Sequence, residues 1–228
     1  MTKTAVLVDG GFYRKRAIAL WGNKSPQDRA EELNRYVFRH LDKKDGDCKR
    51  ELYRVFYYDC PPVSKKVYHP KLGRTVDFGK EPLYSWANDF FDALKSKRKF
   101  ALRMGRIQEI GVHYQLSPDK VKKLMRGDIR VEDIGEGDFA INFKQKEVDM
   151  KLGLDVASLA YEGIVDQIVL IAGDADFVPA AKVARRKGID FILDPMGRSI
   201  NSSLMEHVDG RESFIKKDPY PKKKKETQ

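Results

Sequence analysis

Aspartates recur where short apolar runs end. Asp9 follows TAVLV (Thr4–Val8), Asp59 follows LYRVFYY (Leu52–Tyr58), and Asp194 follows Ile189–Leu193. Asp174 follows the unbroken apolar run Ile168–Ala172 and Gly173, and Asp176 stands two residues further on. Asp149 and Asp155 lie on a helical pattern over Val148–Tyr161, directly before that run. Carboxylates brought together repel each other, and in a low dielectric that costs several kcal/mol unless a cation intervenes. Hard divalent cations take such oxygens, and Mg²⁺ keeps waters free for substrate phosphates. A cation so held can activate water and stabilise a phosphodiester transition state.

Aspartate is also a common turn and cap former. Asp59 precedes Cys60-Pro61-Pro62 and Asp194 precedes Pro195, so both read as turn residues. That leaves Asp9, Asp149, Asp174 and Asp176 as the candidate cluster. Asp149 and Asp155 are six positions apart and fall on different stripes of their helix. Arg14, Lys15 and Arg16 stand beside the Asp9 edge, either as phosphate holders or as a solvated face. Lys151 is a further candidate for a phosphate backbone, or simply the i,i+4 partner of Asp155.

The elements that must position these acids alternate. Ile168–Ala172 has the length and composition of a buried strand. Asp176 suits an N-cap, with Pro179 in the first turn of a helix running to Lys187. Thr4–Val8, Leu52–Tyr58, Phe100–Ile110, Phe139–Phe143, Ile189–Leu193 and a terminal Ser213–Ile215 read as further strands. Helical patterns cover Phe12–Leu20, Gln27–Leu41, Trp86–Lys97, Ser117–Arg126, Val148–Tyr161 and Asn201–His207, with a turn at Asp45–Asp47. In the Val148–Tyr161 helix, Leu152, Val156, Leu159 and Ala160 should face the sheet.

Alternating strands and helices predict an α/β class with a mainly parallel sheet, whose strand C-termini share one ligand-binding edge. The expected organisation is one domain over residues 1–215, elaborated at about 63–137, followed by a basic, disordered tail at 216–228. Val63–Gly79 reads as loop, and Gly10-Gly11 as a turn that lets backbone approach a ligand. The aromatic residues of Tyr53–Tyr58 and Tyr84–Phe91 could stack bases, but their spacing favours core packing.

Bulk properties narrow the function. A hydrophobic content of 41% with 34% charged residues fits a globular chain, and no apolar run reaches membrane-spanning length. The N-terminus enters a strand pattern directly, so no signal peptide is expected. Cys48 and Cys60 make no disulfide framework, and a cytoplasmic location follows. The four scattered histidines offer no zinc spacing. Neither GxGxxG nor GxxxxGK[ST] occurs, which argues against a nucleotide cofactor. The net charge of +10, of which the tail supplies only four, favours a polyanionic partner.

In order and spacing, VLVDGGF (Val6–Phe12), YYDCPP (Tyr57–Pro62), KQKEVDMKLGLD (Lys144–Asp155), LIAGDADFVP (Leu170–Pro179) and GIDFILDP (Gly188–Pro195) resemble the NYN domain of the LabA-like (DUF88) group, a branch of the PIN-like nucleases. The resemblance spans Thr4 to about Phe214 and is weakest across Val63–Gly137. It implies a Rossmann-like three-layer α/β/α sandwich and an acidic pocket that binds Mg²⁺ or Mn²⁺. It also implies hydrolysis of RNA, single-stranded RNA included, by metal-activated water. Asp9, Asp149, Asp174 and Asp176 match the family's catalytic and metal-binding acids, and Asp155 matches a further recurrent acid expected among the metal ligands. Arg14, Arg16 and Lys151 would hold the nucleic-acid backbone. Two positions depart from the pattern: Ala172 replaces a Ser or Thr before the GD, and Glu147 replaces a Gly before the VD.

Two other classes compete. An RNA-binding module with weak or no catalysis would use the basic charge alone. A phosphoaspartyl enzyme would use Asp174-Ala175-Asp176 as a DxD motif, but here that motif follows a late strand instead of the first. The sequence leaves oligomerisation open, a homo-oligomer included.

Overall fold

The apolar runs become neighbouring strands in the computed structural model, which describes residues 1–42, 49–108, 111–200 and 202–221. In chain order the elements are β1 (Thr2–Asp9), α1 (Gly10–Trp21), α2 (Pro26–Leu41), β2 (Arg50–Asp59), β3 (Lys66–His69), β4 (Arg74–Asp77), α3 (Pro82–Lys95), β5 (Phe100–Met104), β6 (Arg106–Ile107), β7 (His113–Leu116), α4 (Pro118–Arg126), β8 (Phe139–Asn142), β9 (Gln145–Lys146), α5 (Val148–Tyr161), β10 (Gln167–Ile171), α6 (Val178–Arg186), β11 (Asp190–Asp194), α7 (Ser202–Met205) and β12 (Gly210–Arg211). The turn expected at Asp45–Asp47, Cys48, Ile110, Asn201 and the lysine run Lys222–Lys225 lie outside the described residues.

The chain divides into two units. The first comprises Met1–Asp59, Asp89–Gly105 and Glu147–Gln228. Its six strands form one sheet in the order β12-β11-β10-β1-β2-β5. Every neighbouring pair is parallel. Helices flank the sheet, as the α/β reading requires. Strand parity explains how. Ala5, Leu7, Ile168, Leu170, Phe191 and Leu193 share a core with Leu152, Val156, Leu159 and Ala160 of α5 and with Ala181 and Ala184 of α6. The alternate residues Val6, Val8, Val55, Val169 and Ile171 are also fully buried, so both faces of the sheet are covered. On that second face Tyr57 meets the rings of Phe90 and Phe91 at 5.7 and 6.4 Å between centroids. Each fully buried Leu or Ile contributes about 1.5–3 kcal/mol, which makes β1 and β10 a rigid base for whatever follows them.

The second unit comprises Cys60–Asn88 and Arg106–Lys146. It contains three antiparallel pairs, β3-β4, β6-β9 and β7-β8. The Val63–Gly79 stretch expected as loop is therefore mostly a hairpin. Its alternation is carried by Val67 and His69, which are buried on one side of β3. His69 packs on Tyr114 and Phe139, a contact between distant segments that gives no local signal. The long strand expected over Phe100–Ile110 breaks at Gly105. The terminal strand forms at Gly210–Arg211 instead of Ser213–Ile215.

Candidate functional site: an acidic cleft at the sheet switch point

Strand register decides where the acids fall. Val8 of β1 is level with Ile171 of β10, and Asp9 is level with Tyr58 of β2. Chain order reverses between β10 and β1: β1 leads to β2 on one side, while β10 leads to β11 on the other. At such a switch point the loops diverge and leave a crevice beyond the strand C-termini. A cleft of about 370 Å³ lies there, lined by Asp9, Phe12, Lys15, Gly173, Asp174, Arg198 and Ser199.

Asp9 ends β1 and caps α1, accepting the Phe12 backbone N–H at 3.0 Å. Gly10 and Gly11 open α1 directly. The space beside Gly10 is filled by the chain itself, since a Cβ there would lie 2.5 Å from Asp59 Oδ2 and 2.6 Å from Tyr57. Gly10 is thus a close-packing residue and not an opening for a ligand. A Cβ on Gly173 would lie 2.5 Å from the Phe12 ring, so this glycine lets the ring form the floor of the cleft.

The four candidate acids interact. Burial raises the Asp9 carboxyl to about 6, and the nearby charges of Asp149 and Asp59 add to the rise against the opposing Phe12 N–H. Asp149 lies in the first turn of α5. Its carboxyl is also raised, by partial desolvation and then by Asp174 and Asp176. Asp174 accepts the Asp176 N–H at 3.2 Å, folding the GDAD turn on itself. Asp176 does not cap α6 as expected: it lies in a 3-10 turn over Ala175–Phe177, and Phe177 occupies the cap position without a side-chain bond.

The donor set is chemically right for a hard divalent cation: carboxylate oxygens, mutually repelling, on three separate segments. Among the described residues no three His, Cys, Asp or Glu side chains already stand close enough to hold an ion.

Asp155 has other partners. Its Oδ2 accepts from the Tyr58 hydroxyl and from Arg103 Nε, both at 2.8 Å. The expected Lys151–Asp155 pair does not form. Lys151 donates to the Met104 carbonyl at 2.7 Å and lies 3.5 Å from Glu147. Glu147 itself has φ 74° immediately before α5. A left-handed residue here explains why glycine suits the position, because a Cβ is strained there.

Asp59 and Asp194 are not mere turn residues. Asp59 is buried and accepts from Arg14 at 2.9 Å and from the Tyr57 hydroxyl at 3.1 Å. Asp194 is fully buried among Tyr36, His40, Ser213 and the Met196 N–H, at 2.6–2.8 Å. Like Lys151, the other two expected backbone holders have internal partners. Arg14 is held by Asp59, and Arg16 donates to the Met196 carbonyl at 2.8 Å.

Sequence reasoning missed Arg198 and Ser199, which follow Asp194 in a loop with no motif of its own. The aromatic question is settled for packing at Tyr57, Tyr58, Phe56, Phe90 and Phe91, all of them buried.

A helix-flanked parallel sheet with acids at its switch point is the architecture of PIN-like proteins. The chain belongs to the NYN domain family, whose model matches residues 87–212, and that family is one of PIN-like nucleases. The matched region holds Asp149, Asp155, Asp174 and Asp176; Asp9 precedes it. A crystal structure of a protein of unknown function from Vibrio parahaemolyticus is similar, with a TM-score of 0.49 and 14% identity over 96% of this chain and 95% of that one. No curated protein matches.

Proposed function

We propose that this protein is a metal-dependent ribonuclease that hydrolyses RNA phosphodiester bonds in the acidic cleft. The observation that carries the reading is the meeting of Asp9, at the end of β1, with Asp174, just beyond β10, in one cleft at the switch point. Asp149 is electrostatically coupled to both acids. Asp9, Asp149, Asp174 and Asp176 would hold Mg²⁺ or Mn²⁺, and Asp155 is left to its structural pairing with Arg103 and Tyr58. When bound, the ion supplies charge neutralisation at the phosphate and lowers the pKa of water.

The chain's own residues prepare this. Asp9 keeps a proton into the mildly acidic range because it is buried and, secondarily, because Asp149 and Asp59 stand near it; a cation in the cleft would favour its ionised form. The Phe12 N–H fixes the Asp9 oxygen, and the Asp176 N–H fixes that of Asp174. Both carboxylates are thereby oriented before substrate binds.

A panel of single-stranded and structured RNAs, incubated with Mn²⁺, Mg²⁺ or EDTA, tests the proposal on wild type and Asp174→Asn. Metal-dependent cleavage that disappears in the variant is the expected result. A second reading, RNA binding without catalysis, is favoured by the net charge of +10. Salt-sensitive binding by both proteins with no cleavage under either metal would establish it. Among the described residues no helix is long and apolar enough to cross a membrane.

A further inference from the structure

The cations around the sheet are mostly engaged by the fold. Arg14 binds Asp59, Arg16 the Met196 carbonyl, Arg50 Glu212, Arg103 Asp155, and Lys24 both Glu32 and Asp218. Lys15 and Arg198 differ. Both are exposed, both line the cleft that contains Asp9 and Asp174, and neither side chain has an ion-pair or hydrogen-bond partner among the described residues. Two unpaired cations beside two carboxylates would ordinarily close into salt bridges. Here they remain apart, so their charge is available to a ligand.

The backbone that carries Arg198 is well secured. The Arg198 N–H donates to the Pro195 carbonyl at 2.9 Å, and its own carbonyl accepts from Arg211 at 3.4 Å. One residue earlier, the Gly197 N–H donates to Ser213 Oγ at 3.3 Å. Met196 is bonded on both sides, its N–H to Asp194 and its carbonyl to Arg16. Met196 and Gly197 have φ 46° and 73°, a turn that these bonds maintain. Lys15 stands on α1, whose first turn is capped by Asp9 itself. Both cations are therefore presented from anchored backbone, one on each side of the chain reversal.

We infer that Lys15 and Arg198, with the Ser199 hydroxyl, form the phosphate-holding side of the cleft and bind a backbone phosphate of single-stranded RNA opposite the acids. Arg198 offers planar donors for two phosphate oxygens, Lys15 a compact charge, and Ser199 a neutral donor. The inference rests on the reading of the cleft as a nucleic-acid site. It assigns the substrate contacts to side chains that the fold leaves free.

The test is fluorescence anisotropy of a labelled single-stranded RNA with the full chain in EDTA, over about 50 to about 250 mM KCl. Lys15→Ala/Arg198→Ala should reduce the slope of log affinity against log salt by roughly 0.7, the value for one phosphate contact to a single strand, and each single variant should reduce it by part of that. Arg198→Lys should keep the slope. Arg186→Ala removes an equal charge near the end of α6, just before the start of β11 and so toward the opposite edge of the sheet, and should change nothing. Matching thermal midpoints show that the variants are folded. A double variant Lys15→Ala/Arg198→Ala with wild-type slope and affinity overturns the inference, as does an equal loss in Arg186→Ala.

Cleavage of the same RNA with Mn²⁺ separates this result from the nuclease reading. Reduced slopes without wild-type cleavage sink the nuclease and keep the phosphate site. Cleavage with unchanged slopes does the reverse. Absence of RNA binding by wild type overturns both.

Discussion

Arg16 donates to the carbonyl oxygen of Met196 at 2.8 Å, joining α1 to a loop 180 residues further along the chain. That loop carries Arg198 and Ser199 into the acidic cleft. A cation that the sequence offers for nucleic acid thus serves the site by holding its wall.

Arg16→Ala should accordingly act through stability. Loss of a charge-assisted hydrogen bond from a half-buried guanidinium costs about 1.5–3 kcal/mol. Urea unfolding should show a lower midpoint with an unchanged m-value. Full stability combined with weakened RNA binding would instead return Arg16 to the substrate.

Asp9 makes stability depend on pH. Its folded pKa, about 6, lies above the ordinary value of 3.8, so the native state holds the proton more tightly than the unfolded chain. The stabilisation is complete below about pH 4 and is lost as pH rises towards 6. It amounts to roughly 2 kcal/mol after discounting for residual exposure. In EDTA, wild type should lose this increment relative to Asp9→Asn across that window. Added Mn²⁺ should restore stability at pH 7 to wild type only. Parallel pH profiles for the two proteins would show that neither burial nor its anionic neighbours raise the Asp9 carboxyl.

Asp155 separates structure from catalysis. Asp155→Asn weakens the bonds from Arg103 and Tyr58 and should cost about 1–2 kcal/mol in thermal unfolding. Metal-dependent cleavage should stay within a few-fold of wild type below the melting transition. A loss as deep as that of Asp174→Asn, at unchanged stability, would make Asp155 a ligand.

Glu147 tests backbone strain. Relief of a left-handed non-glycine residue is worth about 1–2 kcal/mol, partly offset by glycine's extra unfolded-state entropy. Glu147→Gly should therefore raise stability by about 0.5 kcal/mol, and Glu147→Ala should give no gain because its Cβ meets the same strain. Equal effects of the two substitutions would assign the change to the lost charge beside Asp149.

The α/β class, the strands that matter and the acids at their ends are legible in local sequence. Ala5–Val8 and Ile168–Ala172 are apolar on every residue, a pattern that suits a strand covered on both faces, and a parallel sheet collects such strand ends on one edge. The helix face of Leu152, Val156, Leu159 and Ala160 was equally legible, because its spacing is local.

Which polar groups are free depends on contacts between distant segments. Whether an arginine is available for a phosphate depends on what lies opposite it. For Arg14 that is Asp59 and for Arg16 it is Met196, 45 and 180 residues away along the chain. Asp59 and Asp194 read as turn residues because the guanidinium beside Asp59 and the phenol, imidazole and hydroxyl around Asp194 come from other segments. Arg198 carries no distinguishing pattern, and nothing in the sequence separates Lys15 from its neighbours Arg14 and Arg16. Lys15 and Arg198 stand out through the absence of internal partners among the described residues and their place beside Asp9 and Asp174, which are properties of the folded surface.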